Sequence, residues 1–244
     1  MKDTDTICLA GGCFWGMEAL YRRLPGVTDV VCGYANGDTA AHANYETVCT
    51  GITGFREAVL ITWDTGKTSL EALLFAFFAV VDVELPNRQG ADIGTQYQTG
   101  IYWTTPEQAR VVQAVAAMEA AAVPFFAVEL KALENFFPAE AYHQRYLERN
   151  PRGYCHISPA RQGAVASYPF RREASMARGT RLSLTARPKE AAKDGRSRAS
   201  PFCWALWIRF RQAVFRPEKD MSSSAPWTWA RGSSYLASSP PSAR

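Results

Sequence analysis

Apolar and polar positions alternate between two periods along the first two thirds of the chain. Residues 6–10 (TICLA) form an apolar run stopped by Gly11-Gly12, which predicts a buried strand and a tight turn. From Phe14 the period lengthens. Phe14, Met17, Leu20, Tyr21 and Leu24 fall at helical spacing, and Pro25-Gly26 ends that helix. Residues 27–34 and 57–63 are mostly β-branched and apolar and read as strands, separated by a polar, glycine-containing loop over 38–56. Thr68-Ser69-Leu70-Glu71 reads as a capping box with Thr68 as N-cap, opening an apolar helix that runs to residue 81. Residues 84–96 are again polar and read as loop, and 99–103 as strand. Thr105-Pro106-Glu107-Gln108 places a cap, a proline at the first helical position and a glutamine three residues after the cap, so a helix follows to residue 122. Residues 125–130 read as a further strand, and 139–149 as a helix stopped before Pro151.

The order over residues 6–103 is β-α-β-β-α-β, the split βαβ or ferredoxin-like arrangement. The expected class is therefore α+β: a ferredoxin-like core with additional helices and a mobile C-terminal segment. A fold of this kind hosts many activities and assigns none.

Beyond residue 163 both periods fade. The last 81 residues hold seven of the 14 prolines, 13 serines, and Arg over Lys by 12 to 3. The expected organisation is a catalytic domain over 1–163 and a basic, disordered tail over 164–244. One stretch of that tail, 202–216 (FCWALWIRFRQAVFR), mixes aromatic and basic residues as interfacial helices do; an extension without a function is the preferred reading. Charge divides at the same place. The formal net of +4 is the sum of −6 over 1–163 (12 Lys and Arg, 18 Asp and Glu) and +10 over 164–244 (15 against 5). An acidic first part argues against nucleic-acid binding there, since phosphate contacts need clustered Lys and Arg. No apolar run is long enough to cross a membrane, and the start carries no apolar signal region, so a cytoplasmic location is expected.

Six cysteines raise the question of chemistry: Cys8, Cys13, Cys32, Cys49, Cys155 and Cys203. A chain able to build its own core does not need a disulfide framework. Cys13 stands out, in Gly12-Cys13-Phe14-Trp15-Gly16, at the junction of a strand and a helix. Free N–H groups and the helix dipole favour a thiolate there, and thiolate is the nucleophile. A small buried hydrophobe is the alternative reading of such a cysteine. Cys8 is expected to be buried in its strand, and Cys32 and Cys49 to serve packing or loops. His42, His143 and His156 are too scattered for a zinc site. Gly11-Gly12 lacks the spacing of a dinucleotide-binding loop. No metal and no bound cofactor are expected.

Five segments together resemble the peptide methionine sulfoxide reductase family of A type, which acts on the S-sulfoxide. They are Gly12-Cys13-Phe14-Trp15-Gly16, Gly33-Tyr34-Ala35-Asn36-Gly37, the loop from Tyr45 to Glu57, Asp92-Ile93-Gly94-Thr95-Gln96-Tyr97, and the pair Tyr142–Leu147 and Asn150–Cys155. The resemblance covers residues 6–160. It implies that Cys13 attacks the sulfoxide sulfur and becomes a sulfenic acid. It also implies that Tyr34, Tyr97 and Asp92 assist departure of the oxygen, and that Phe14 and Trp15 hold the substrate methyl group. Cys155 matches the resolving position and would form a disulfide with Cys13, which thioredoxin would reduce. The family resemblance further suggests a monomer acting on free or protein-bound methionine sulfoxide. Two positions depart from the family pattern: Thr47 stands where a glutamate is common, with Glu46 beside it, and Phe55-Arg56-Glu57 replaces His-Ala-Glu. Glu57 is expected to be a structural acid. Competing readings are a Cys-dependent hydrolase or acyltransferase with Cys13 activated by His143, and a redox-sensing or interaction module.

Overall fold

A computed structural model of the chain describes residues 3–168. Eight strands form: β1 (Thr4–Ala10), β2 (Val27–Ala35), β3 (Arg56–Asp64), β4 (Arg88–Gln89), β5 (Asp92–Ile93), β6 (Gly100–Trp103), β7 (Glu129–Ala132) and β8 (Phe136–Pro138). The helices are α1 (Phe14–Tyr21), α2 (Tyr45–Val48), α3 (Leu70–Phe78), α4 (Pro106–Ala120), α5 (Tyr146–Arg149) and α6 (Pro159–Ser167). Six strands make one sheet in the order β7-β6-β1-β3-β2-β8, and β4 pairs with β5 in a small hairpin.

The four central strands β6-β1-β3-β2 are mutually antiparallel, with α1 and α3 as the crossovers. That is the split βαβ arrangement expected from the pattern, and the class is α+β. The parallel β6–β7 pair is joined through α4, as parallel pairing requires a long connection. Along β1 the side chains alternate: Ile7 and Leu9 enter the main core with Met17, Leu20, Leu74 and Phe77, while Cys8 and Ala10 pack on the other face beside Tyr102 and Ala58. Both faces are covered, which is why this strand reads as a continuous apolar run.

The caps decide where helices start. Ser69, not Thr68, caps α3 through its hydroxyl, which accepts the Ala72 N–H at 3.3 Å. Thr105 caps α4 as expected, accepting from Gln108 N–H. Gln108 turns its side chain inward to Asp5 and to the Thr6 carbonyl, each at 2.8 Å, and so ties α4 to the sheet edge.

Several segments depart from the pattern reading, among them the expected loop over 38–56, which contains α2, and the unexpected strand β8. The polar stretch 84–96 contains the β4–β5 hairpin, turned at Gly90 (φ 58°), followed by a 3-10 turn over Thr95–Tyr97. The expected strand over 125–130 lies later, at β7. The expected helix over 139–149 is helical only in its last turn, because Arg145 adopts φ 51°. The buried Glu18 carboxylate takes the Arg145 N–H with both oxygens, at 2.9 and 2.8 Å. The Gln144 side chain meanwhile bonds Cys32 N–H and the Cys32 and Ala139 carbonyls. These tertiary bonds hold the segment against α1 and β2 and override its helical period. Helix α6 was not apparent from periodicity, and it runs past residue 163. Apart from residues 164–168, the tail, including 202–216 and Cys203, lies outside the described residues. No helix among the described residues is long and apolar enough to cross a membrane.

Candidate active site

Strand β1 stops at Ala10, and Gly12 turns the chain with φ 80° into α1. Cys13 is the residue before the first helical turn, with φ −53° and ψ 122°. The expected junction is there, but the thiol sits in a drier place than an accessible helix end, at 6% exposure. Burial pushes it far above the ordinary thiol range, and the Glu57 carboxyl adds to that; the Trp15 N–H pulls the other way. The resting group is therefore a neutral thiol, and the helix N-terminus alone does not ionise it.

The acid beside it is Glu57, near the start of β3, where it pairs with Tyr34 on β2. Glu57 is 2% exposed, and its Oε2 accepts the Phe14 N–H at 3.1 Å. Burial pushes its carboxyl up to about 8, with Asp92 adding and the Phe14 N–H opposing. Burial thus favours the protonated form of Glu57. The acid expected to be structural sits buried at the start of α1, bearing on the thiol. Glu46, the other candidate, is exposed on α2.

Two tyrosines face this pair. Burial pushes the phenols of Tyr97 and Tyr45 up; Glu57, Tyr45 and Cys13 add to this at Tyr97, and at Tyr45 Cys49 adds most, followed by Glu57 and Cys13. Asp92 on β5 bears on Cys13, Glu57 and Tyr97, and its Oδ2 is buried without a hydrogen-bond partner. Tyr34 behaves differently. It is fully buried, and its hydroxyl donates to Glu140 Oε2 at 2.8 Å. The same carboxylate accepts the Tyr45 N–H at 2.9 Å through Oε1. Tyr34 therefore braces the loop that carries Tyr45, and it is Tyr45 whose phenol feels the thiol. The sequence pointed to Tyr34; Tyr45, on the loop from Tyr45 to Glu57, is the one of the two on whose phenol Cys13 bears.

Phe14 and Trp15 line the aromatic side of the site. Trp15 stacks on Tyr146, with ring centroids 3.8 Å apart at 15°. Its indole N–H donates to His143 Nδ1 at 3.2 Å, and the His143 ring lies 5.0 Å from that of Phe14. Because Nδ1 accepts this bond, the neutral His143 ring carries its proton on Nε2. That ring supplies no base to Cys13, which removes the geometry a Cys/His hydrolase needs.

The second thiol approaches from the C-terminal segment. A Cβ added at Gly16 would meet Cys155 Sγ at 3.1 Å and His156 at 3.1 Å, so a bare helical turn leaves room for both beside Cys13. Cys155 is partly buried, and burial pushes its thiol up, opposed by hydrogen bonds from Ile157 and Gln162. Of the other cysteines, Cys8 and Cys32 are fully buried, and Cys49 is exposed at the end of α2 beside Tyr45. Among the described residues no group of three His, Cys, Asp or Glu side chains is placed to hold a metal ion.

The Cys13 thiol, the buried Glu57 carboxyl, the phenols of Tyr97 and Tyr45 and the Cys155 thiol thus lie close enough to bear on one another. Over 152 residues the chain is 47% identical to the peptide methionine sulfoxide reductase MsrA of Clostridium acetobutylicum, covering 62% of this chain and 93% of that one. The crystal structure of Mxr1 from Saccharomyces cerevisiae in reduced form superposes with a TM-score of 0.60 at 32% identity, covering 64% of this chain and 91% of that one. Methionine sulfoxide reductase A of Corynebacterium diphtheriae gives 0.58 at 32% identity, over 64% and 79%. The family model for peptide methionine sulfoxide reductase matches residues 5–171, and the chain belongs to that family.

Proposed function

We propose that this protein reduces methionine S-sulfoxide, free or within proteins, to methionine, repairing oxidised proteins and using thioredoxin as the final reductant. The observation that carries the reading is the buried Glu57 carboxyl, held by the N–H of Phe14, the residue after Cys13; burial favours its protonated form. A sulfoxide is reduced only if its oxygen is protonated as it leaves sulfur, and a neutral acid in a dry site supplies that proton.

Cys13 attacks the sulfoxide sulfur. An S–S bond forms between them; as the oxygen passes to Cys13 an S–O bond forms there, the substrate S–O bond and the new S–S bond break, and methionine leaves as the thioether. Glu57 gives its proton to the oxygen and recovers one from the Cys13 thiol. Tyr97 and Tyr45 donate hydrogen bonds to the oxygen as charge grows on it, and Asp92 orders the polar side of the cleft. Phe14 and Trp15 receive the S-methyl group. The product is a Cys13 sulfenic acid. Cys155 then condenses with it, water is lost, and the resulting disulfide is opened by a thioredoxin dithiol. Within this reading Tyr34 is a positioning residue, not a proton donor. The protein works as a cytoplasmic monomer, with no nucleic-acid or membrane partner, and needs no bound cofactor. The whole of the chemistry lies in the first domain and uses nothing beyond residue 168.

A steady-state assay with S- and R-sulfoxide substrates, with and without thioredoxin, tests the proposal. Thioredoxin-dependent turnover of the S form, abolished by Cys13→Ser, is the expected result. Turnover of the R form alone, or activity surviving Cys13→Ser, would overturn it.

A further inference from the structure

Helix α6 follows Cys155 after a short turn and is built to stay in place. Ser158 caps it through its hydroxyl, which accepts the Arg161 N–H at 3.3 Å, Pro159 opens it, and Val165 and the preceding Ile157 are fully buried in the main core. One turn of this helix carries Gln162, a polar side chain only 7% exposed. Its carboxamide Nε2 donates to Cys155 Sγ at 3.3 Å and to the Ile157 carbonyl at 3.1 Å. Cys155 Sγ in turn donates to that same carbonyl at 3.1 Å. Both Gln162 amide hydrogens are thus directed at the sulfur and at the atom that accepts the thiol proton.

We propose that Gln162 is a positioning residue of the resolving step, holding Cys155 Sγ over Gly16, beside Cys13, and keeping an N–H donor on that sulfur when its proton leaves. The inference rests on the reading of Cys155 as the resolving thiol. In the step itself the Cys155 thiolate attacks the sulfur of the Cys13 sulfenic acid. An S–S bond forms, the S–O bond breaks, and the departing hydroxide combines with the proton released by Cys155 to give water. Cys155 is oxidised and Cys13 reduced, each to the disulfide level, so no outside reagent is needed. Burial opposes ionisation of Cys155, as does the nearby Asp92 carboxylate. The other groups facing it are Tyr154, whose phenol bears on both Cys155 and Asp92, and the thiol of Cys13. His156 stands over the same glycine, with Arg161 of α6 bearing on its ring. The donors to the sulfur, the Gln162 carboxamide and the Ile157 backbone N–H, favour the anion, whereas the Ile157 carbonyl accepts the proton of the neutral thiol.

Gln162→Met keeps the volume and helical preference of the side chain and removes both N–H groups. In the full-length protein, a single turnover with one equivalent of S-sulfoxide separates methionine release from disulfide formation, the second read by mass spectrometry of quenched, alkylated samples. Methionine release serves as the control that the variant is folded. The proposal requires disulfide formation to slow about tenfold, the effect of losing a hydrogen bond to a charged group. It also requires the pH profile of Cys155 alkylation, measured in a Cys13→Ser background, to move upward by about one unit. Gln162→Lys, which restores an N–H donor, should bring the profile back down. Disulfide formation at the unaltered rate with an unmoved profile overturns the role of Gln162. Full thioredoxin-dependent turnover by Cys155→Ser overturns the underlying reading instead, so the two failures are distinct.

Discussion

Glu57 Oε2 accepts the backbone N–H of Phe14 at 3.1 Å, which fixes a buried carboxyl one residue from the thiol it serves. The bond belongs to the first turn of α1, so the nucleophile and its acid are set by a single junction of strand and helix. Glu57→Gln keeps an acceptor for the Phe14 N–H and removes the proton. Methionine release in a single turnover is expected to fall about 10²- to 10⁴-fold, the range for loss of a general acid. A decrease of less than about threefold would remove Glu57 from the chemistry.

The pH behaviour of that carboxyl gives a second prediction. Its folded value of about 8 lies above the ordinary 4.5 for glutamate. Between those two values the folded protein holds a proton that the unfolded chain has lost, so Glu57 makes stability fall as pH rises from 4.5 to 8 and then level off. The rate of sulfoxide reduction should likewise fall as pH rises through 8. Thermal unfolding is expected to show Glu57→Gln gaining stability relative to the parent at pH 8 but not at pH 4.5. A parallel offset at both pH values would show that Glu57 does not titrate high.

Tyr34 and Tyr97 should separate cleanly. Tyr34→Phe removes the bond to Glu140 and is expected to cost about 1–2 kcal/mol in denaturant unfolding while leaving methionine release within a few-fold of the parent. The Tyr97 backbone N–H bonds the Gly94 carbonyl at 3.0 Å, while its hydroxyl bonds no other described residue and is free to donate to substrate. Tyr97→Phe is expected to slow methionine release about tenfold or more with little change in stability. The reverse pattern would restore Tyr34 to the proton-donating role that the sequence suggested.

Gly16 offers a test of the second thiol's seat. A methyl group there would stand 3.1 Å from Cys155 Sγ and from His156. Gly16→Ala improves helix propensity by about 1 kcal/mol, so a merely structural glycine would yield a more stable and fully active protein. The expected outcome is slower disulfide formation after a normal burst of methionine.

The central fold was legible because its elements are set locally. The run 6–10, the period from Phe14 and the Thr105-Pro106 start each carry their own stop or cap signal. The misread parts depend on partners far away in the chain. Glu18 and Gln144 impose an irregular path on a segment whose apolar spacing is helical. Hairpin β4–β5 and strand β8 are two and three residues long, too short for a period to show. Helix α6 presents a weakly apolar face whose two buried residues are Gln162 and Val165. In the site, Cys13 was legible from its glycines and its strand–helix junction. Glu57 was not, because its role follows from burial and from strand pairing that brings β3 against the start of α1. A glutamate opening an apolar run reads the same whether it ends in solvent or beside a thiol.

The most direct test of the whole account is a single turnover of the reduced, full-length protein with one equivalent of methionine S-sulfoxide and no thioredoxin. The account predicts one methionine per protein, together with loss of two hydrogens from the chain in a Cys13–Cys155 disulfide, and no reaction with the R-sulfoxide. Methionine release without that disulfide, or a disulfide joining any other pair of the cysteines, would contradict it.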